Sequence, residues 1–476
     1  AETRVPFVVH EVWLHSCGGR LRTVVHREST GTFGVWIGDA FNDRSPSVRV
    51  HGFESRAFTS DKLGYQSEHL YRTEYDPVQW LGRQAGVDPT TLIVGVQRAE
   101  GAPSRLSLSA TPSGARIIYG WEHGAPTSST AVLSHLEGAL TLARGLFASA
   151  QPIPTCMLTR TSGSFATPFA NPNSAGLLGL SRSARAEQPT AAIVNCDACS
   201  LSVESLTARL SRLSSAESEV YLCEESSVSP RLRRLSLHVK ESAPIASTHL
   251  LTGGTSGIGL LTGRWLVGQG AHDVVLASRG GAVLATEEVW SHNNRQHART
   301  VRCDAAQCAD VRCMLAAVST SCVSPAISLW HAAGVLADKL LPSQNASSLS
   351  RVYSPKAYGA WSLHRACAST PLCAYVMFSS IASIFGGVGQ ANYAAANQCL
   401  DALTVCRRSH GVAAASIQWG PWGDVGMLAN ANHLRNHMQS TGMGMITMAD
   451  GMKAIEAVLS AYDVAVISYF IVRWNT

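Results

Sequence analysis

The sequence predicts an α/β protein: two α/β units in series behind a β-rich N-terminal segment, the second unit built on a doubly wound parallel sheet. Three observations predict it. From about Thr248, the short apolar runs THLLTGG, HDVVLAS, AISLWHAAG, LCAYVMFSS, AAASIQWG and DVAVISYFIV are mostly separated by segments of helical length. Buried parallel strands joined by crossover helices leave this signature. Residues 68–245 repeat the rhythm more weakly, whereas residues 1–60 show strands and polar turns only.

In residues 1–60, VVHEVWLHS, RLRTVVHRES, TFGVWIGDAF and SVRVHGFESRAF read as successive strands, and the polar residues 61–67 as a linker. In the first α/β unit, 68–245, ARIIYGW, PTCMLTR, TAAIVNC and EVYLCEE read as strands. STAVLSHLEGALTLARGLFAS is an amphipathic helix with Leu133, Leu136, Leu140 and Leu146 near one face. The loop after Tyr119, GWEHGAPTS, lacks the glycine spacing that a phosphate requires, so this unit reads as a structural partner. The second unit, 246–476, opens on a strand, a glycine loop and a helix-like stretch from Gly259 to Gly268.

A length of 476 residues implies two or three domains, and 46% hydrophobic with 15% charged residues excludes disorder. The net charge of +5 is small and scattered, which argues against nucleic acid as partner. No run of 18 apolar residues offers a membrane span. The opening AETRVPFVVHEVW has no initiator Met and no signal-peptide pattern, and reads as a piece of a longer chain. Among the 13 cysteines, Cys196 and Cys199 form a CxxC without the second pair that zinc needs, and Cys303, Cys308 and Cys313 share no helix face. Reduced thiols in a cytoplasmic, or at least intracellular, protein and no metal are expected.

The loop Thr252, Gly253, Gly254, Thr255, Ser256, Gly257, Ile258, Gly259 lies between strand and helix. Gly253 permits a tight turn, Gly257 lets backbone approach a pyrophosphate, and Gly259 allows close helix–strand packing. The helix N-terminus then offers N–H groups and a positive dipole end to phosphate. An enzyme using NAD places an acid at the end of the next strand; here Leu276-Ala277-Ser278-Arg279 has none. Arg279 can fork onto a 2′-phosphate, which favours NADPH, although an Arg after a strand can also be a plain solvated charge. Asp304 either accepts from the adenine amino group or forms a turn.

Ser379-Ser380 closes the strand YVMFSS, and Tyr393 follows Ser380 by thirteen residues, a spacing that sets Tyr393 on the next helix facing Ser380. Reducing a ketone needs a proton on oxygen as hydride reaches carbon. A free phenol, with a pKa of ~10, is sluggish at neutral pH unless a cation lowers it. Lys356 is the candidate cation. Ser380 can hydrogen-bond the carbonyl oxygen, and Asn397, one turn after Tyr393, can hold Lys356 and a relay water.

TGGTSGIG, HAAG at 331–334 (with Ala332, Ala333 and Gly334 beside the cofactor) and the Ser380/Tyr393 pair resemble the short-chain dehydrogenase/reductase family. Most of that family place Lys four residues after Tyr and Asn upstream; here Asn397 and Lys356 are exchanged. The exchange resembles the ketoreductase domains of modular polyketide synthases and animal-type fatty acid synthases, as do FSSIASIFGGVGQANYAAANQCLDAL and IQWGPWGDVGM. LYRTEYDPVQW and NSAGLLGLSRSARAEQP resemble the family's structural subdomain, a truncated Rossmann-like unit without cofactor. Residues 1–60 resemble the tail of a dehydratase, a hot-dog fold, without its catalytic His and Asp, so no dehydratase activity is assigned to this segment.

The resemblance implies reduction of a β-ketoacyl thioester carried on the phosphopantetheine arm of an acyl carrier protein. The neighbours it implies are a dehydratase upstream and a carrier protein downstream. Only about VKESAPIAST joins the two subdomains, so no enoylreductase is inserted there. A stand-alone reductase of a free ketone and a silent or epimerising domain are the alternatives. In ketoreductases giving the D-hydroxy (B-type) product a Leu-Asp-Asp motif follows HAAG; here it reads Leu336-Ala337-Asp338. Those giving the L product have Trp where this chain has Phe385. Asp338, Phe385 and Gln390 are thus the stereocontrol candidates, with the balance toward the D product. Residues 428–446 are expected to form a mobile lid whose Met side chains adapt to varied acyl chains.

Overall fold

The computed structural model describes the backbone of five strands within residues 4–57. Beyond them it describes residues 69–78, 91–94, 116–120, 129–149, 153–159, 171–198, 201, 203–213, 217–223, 227–235, 248–283, 294, 296–321, 327–368, 370–423, 425, 442–460 and 464–472. The chain divides into two compact units, Ala1–Gln66 and Ser67–Thr476.

In the first unit, β1 (Arg4–Val8), β2 (Glu11–Leu14), β3 (Leu21–Ser29), β4 (Thr32–Asp39) and β5 (Val48–Ala57) form an antiparallel sheet in the order β1-β5-β4-β3. β2 also pairs with β5. The four sequence segments expected to be strands supply β2 to β5, while β1 lies ahead of them and shares only Val8 with the first.

The second unit holds a single 14-stranded sheet. Its first half contains β6 (Leu70–Pro77), β7 (Thr91–Val94), β8 (Arg116–Gly120), β9 (Thr155–Thr159), β10 (Ile193–Ala198), β11 (Glu219–Leu222) and β12 (Ser227–Arg234). Its second half contains β13 (Thr248–Thr252), β14 (Asp273–Ser278), β15 (Ala298–Arg302), β16 (Ile327–His331), β17 (Leu372–Ser380), β18 (Ala415–Trp419) and β20 (Val466–Tyr469). The short β19 (Met443–Gly444) and β21 (Ile471–Val472) pair separately.

Strand order explains why only one half can hold a cofactor. In the second half it runs β15-β14-β13-β16-β17-β18-β20, all parallel, and the chain reverses direction between β13 and β16. Reversal opens a crevice at the carboxyl ends of the strands. In the first half the parallel strands run β11-β10-β9-β8-β7 without reversing, so no such crevice arises. The halves join where β6 pairs antiparallel with β20 on one side and with β12 on the other.

Helices cover the sheet: α1 (Ser129–Ala148), α2 (Gly176–Glu187), α3 (Val203–Leu210), α4 (Gly257–Gly268), α5 (Cys308–Ser321), α6 (Ala346–Tyr353), α7 (Gly359–Ala366), α8 (Ala382–Phe385), α9 (Ala391–Ser409) and α10 (Met448–Ser460). One core packs Leu136, Leu140, Leu177 and Leu180 of α1 and α2 against Ala394, Ala395 and Cys399 of α9. A second lies under the cofactor half, with Leu250, Val275 and Leu329 against Val311 and Leu363. Each fully buried aliphatic side chain contributes roughly 1.5–3 kcal/mol, so the site rests on rigid supports.

Candidate active site

The glycine turn joins β13 to α4. Gly253 and Gly257 have φ of +71° and +53°, a region that side chains rarely enter. A Cβ on Gly253 would fall 2.6 Å from the Ala333 nitrogen, so the turn and the loop after β16 are in backbone contact. Ser256 caps α4 in extended conformation with no side-chain bond to the helix, leaving its first N–H groups for a ligand. These features fit a dinucleotide pyrophosphate. Gly259 makes room for the Gly253 carbonyl, 2.2 Å from where its Cβ would be, and the close helix–strand approach is made one turn later by Gly263, against Leu276. Thr252 braces the loop: its hydroxyl lies 2.7 Å from His331 Nδ1 and its carbonyl accepts from the Ala332 N–H at 2.9 Å.

Ser278 ends β14, and its Oγ accepts from the Gly281 N–H at 3.1 Å. Arg279 beside it is exposed and meets no carboxylate among the described residues. Asp304 makes a turn, its Oδ1 accepting from the Ala306 N–H at 3.0 Å.

Lys356, Ser380, Tyr393 and Asn397 come together from three elements. Lys356 sits in a π-helical turn, Ser354–Tyr358, between α6 and α7. Its amine donates to Asn397 Oδ1 at 2.8 Å and to the Phe378 carbonyl of β17 at 2.9 Å. It lies 5.3 Å from the centroid of the Tyr393 ring. Gly334 makes the approach possible, since a Cβ there would be 2.8 Å from Lys356 Cε. Asn397 Nδ2 donates to the Tyr393 carbonyl at 2.8 Å, which fixes its Oδ1 toward the lysine. Ser380, half-buried at the end of β17, accepts from the Ala382 N–H at 3.2 Å.

The electrostatics differ from the expected lowering of the phenol by the ammonium. Burial pushes the Tyr393 hydroxyl up to about 12, against hydrogen bonds with Asn397 and Ser380 that pull it down. Burial also lowers the Lys356 amine to about 7, against the field of Asp401, which raises it. A cation that is itself half discharged near neutrality, with its protons given to Asn397 and Phe378, does little for the neighbouring phenol.

Two supports lie in segments quoted above but were not singled out as site residues. Asp401, buried in α9, accepts from Ser383 Oγ at 2.8 Å, Ser416 Oγ at 2.6 Å and Gln418 Nε2 at 2.7 Å. His331 is fully buried, and burial lowers its imidazole to about 4, so it is neutral. Its Nε2 lies 2.9 Å from the Lys356 carbonyl, which can only accept; Nε2–H therefore donates and Nδ1 accepts from Thr252. This histidine ties the glycine turn to the lysine backbone. The HAAG segment contained it, but only three-dimensional contact reveals the tie.

Of the stereocontrol candidates, Asp338 and Gln390 meet, Gln390 Nε2 donating to Asp338 Oδ2 at 2.8 Å. Phe385 stands apart from them, 47% exposed and edge-on to Phe470 at 5.4 Å between centroids. Most of the segment expected as a lid, 428–441, lies outside the described residues.

A doubly wound sheet, a glycine turn at its switch point and a Tyr–Ser–Lys–Asn cluster define a short-chain dehydrogenase/reductase-type oxidoreductase that uses a nicotinamide cofactor. Residues 247–424 match the family model for the KR domain. The chain is 36% identical over 223 residues to the spectinabilin polyketide synthase system protein NorB of Streptomyces orinoci, across 45% of this chain and 10% of that protein. It is 30% identical over 476 residues to polyketide synthase GfsE of Streptomyces halstedii, across 97% of this chain and 11% of that protein. The chain thus spans about a tenth of the length of these relatives. A solved A1-type ketoreductase superposes with a TM-score of 0.71 and 25% identity, over 86% of this chain and 94% of that one. The chain contains a ketoreductase domain of the kind found in type I polyketide synthases.

Proposed function

We propose that this chain reduces a β-ketoacyl thioester, carried on the phosphopantetheine arm of an acyl carrier protein, to the β-hydroxyacyl thioester, with NADPH as reductant. The reading is carried by the buried Lys356 amine, bonded to Asn397 and lying 5.3 Å from the Tyr393 ring beside a glycine turn that fits a dinucleotide. Gly253, Thr255, Ser256, Gly257 and Ile258 would hold NADPH, with Ser278 and Arg279 the residues for its 2′-phosphate, and the bound cofactor would supply the hydride that the ketone carbon takes. Tyr393 gives its hydroxyl proton to the carbonyl oxygen, Ser380 donates a hydrogen bond to the same oxygen, and Lys356, fixed by Asn397, returns a proton to Tyr393. Thus one hydride and one proton convert C=O to CH–OH.

Asp338 supports the D-hydroxy product. The likeness to a ketoreductase named A1-type, not B-type, favours a second reading, a product other than the B-type one, and chiral chromatography of the product decides between them. Residues 1–60 are read as the tail of a dehydratase-like hot-dog fold, and 61–67 as its linker to the ketoreductase.

The test follows absorbance at the nicotinamide band with purified protein, NADPH and a β-ketoacyl N-acetylcysteamine thioester. Thioester-dependent oxidation of NADPH, faster than with NADH and faster than with a small free ketone, is expected. Bound NADPH that no thioester oxidises would overturn the reading.

A further inference from the structure

Glu187 is the last residue of α2, in the half of the unit that has no cofactor loop. A carboxylate is out of place there, because the negative end of a helix dipole favours Lys, Arg or His and disfavours a like charge. Glu187 reaches out of its own half. Its Oε2 accepts from the Leu341 N–H at 2.7 Å and its Oε1 from the Gly389 N–H at 3.0 Å. Leu341 opens the short 3-10 helix Leu341–Ser343, so its N–H has no partner within that helix. Gly389, with φ of +77°, sits in the turn just before α9. One carboxylate thereby satisfies two backbone donors on two separate loops.

Those loops carry the residues beside Tyr393. The first runs from Val335 to Leu341 and includes Asp338; the second, Gly386 to Gln390, leads into α9 and Tyr393. They are zipped together by the Lys339 N–H on the Gly389 carbonyl at 2.9 Å and by Gln390 on Asp338 at 2.8 Å. Asn392 Nδ2 donates to the Ala337 carbonyl at 2.9 Å, fixing the first loop to the residue next to Tyr393. Which face of a ketone meets hydride depends on how the acyl chain lies beside Tyr393, and the first loop carries Asp338, close enough for its charge to act on the Tyr393 hydroxyl.

We propose that Glu187 is a positioning residue for stereochemical control: the half without cofactor holds the two loops in the register that admits substrate from one side only. The inference rests on the ketoreductase reading above.

Glu187→Gln leaves one acceptor and turns an amide N–H₂ toward a backbone N–H. With the same thioester and NADPH, followed by chiral chromatography, the minor enantiomer is expected to rise by about tenfold, the loss of one charge-assisted bond, while NADPH affinity stays unchanged. Glu187→Asp, which keeps the charge but shortens the reach by one methylene, is expected to shift the ratio the same way, and it decides the matter should the Gln variant fail to fold. Unchanged enantiomer ratios in folded variants, or a wild type with no facial preference, would overturn the inference. Wild-type protein that reduces nothing sinks the functional reading instead. Hydrogen exchange then still tests the clamp: the Leu341 and Gly389 amides must exchange faster in Glu187→Gln, and unchanged exchange refutes it.

Discussion

At Tyr393 the proton to be transferred sits on a buried phenol with a pKa pushed up to about 12, so the hydroxyl is fully protonated at neutral pH. That suits an acid in the reducing direction, since the proton moves only once charge develops on the carbonyl oxygen. Tyr393→Phe is expected to lower turnover by about 10²–10⁴-fold with cofactor affinity retained, as read by single-turnover kinetics and fluorescence titration. Loss of both would indicate misfolding. The neighbouring amine gives a prediction with a definite sign. Burial takes Lys356 from 10.5 to about 7. Below pH 7 the amine is protonated in both folded and unfolded chains, and the folded state bears the full cost of the buried charge. Between 7 and 10.5 the unfolded chain holds a proton that the folded one lacks, so this group's cost fades and then vanishes only where the unfolded chain also loses its proton; its contribution to stability falls as pH drops below 10.5 and levels off below 7, rising with pH across this window. Replacing the amine by Lys356→Met removes that dependence. The Tm of the variant minus that of wild type should therefore fall steadily from pH 7 to pH 10, and a flat difference would refute the discharged amine. Tyr393, Ser380 and Asn397 were legible because strand, turn and helix convert their spacing into proximity. The state of Lys356 was not, because burial depends on what packs over it from several elements.

At the scale of elements, the catalytic helix is held by a neighbour that contributes nothing to the chemistry. α2 crosses α9 so closely that a Cβ on Gly179 would sit 2.3 Å from the Ala394 carbonyl oxygen, in the residue following Tyr393. Gly386 likewise lies against the backbone of Arg182, where a Cβ would be 2.3 Å from its carbonyl carbon. Backbone cannot yield as a side-chain tip can, so Gly179→Ala must move one helix. A loss of about 1–3 kcal/mol is expected in denaturant unfolding, with a fall in kcat and an unchanged NADPH affinity. Gly268→Ala is the control: no atom lies within 4 Å of that position, and helix propensity makes the change neutral to stabilising by up to about 1 kcal/mol. Equal effects of the two substitutions would refute the packing argument. The sequence showed the α2 segment only as a likeness to a structural subdomain. β7 and β12 were not read as strands at all, the latter because SVSPRLRR carries Pro and three Arg. Its Arg231 and Arg233 meet Glu217 and Asp76 at the surface, while backbone pairing with β6 and β11 holds the strand, and no apolar pattern reveals either.

Across the whole of residues 67–476 the two halves share one sheet and one buried ion cluster. Contacts joining positions this far apart, such as Glu187 with Gly389, 202 residues on, have no local signature, so the support of the site was invisible where its chemistry was not. The cluster centres on Glu219 at the start of β11. It accepts from Arg182 Nε at 2.7 Å and from Arg185 Nη2 at 2.6 Å, while Asn195 Nδ2 donates at 3.2 Å. Burial alone would raise its carboxyl; the two guanidinium groups and Asn195 hold it below the usual range. Arg182 continues into the other half, donating to the Ser383 carbonyl and to Gln398 Oε1, the latter at 3.0 Å. Ser383 lies three residues beyond Ser380 and also bonds Asp401, so the cluster reaches the catalytic loop through one residue. Glu219→Gln leaves two buried guanidinium groups without a counter-charge, a loss of about 3–5 kcal/mol. A carboxylate with a depressed pKa stabilises above its unfolded pKa and loses that contribution as pH falls, so the gap between variant and wild type should narrow in acid. It should hardly change between low and high salt, because a buried pair is poorly screened. Urea titrations at two pH values and two salt concentrations measure all three effects. A gap that closes in high salt instead would mean that water reaches Glu219 and that the ion cluster adds little to the packing of α2 on α9.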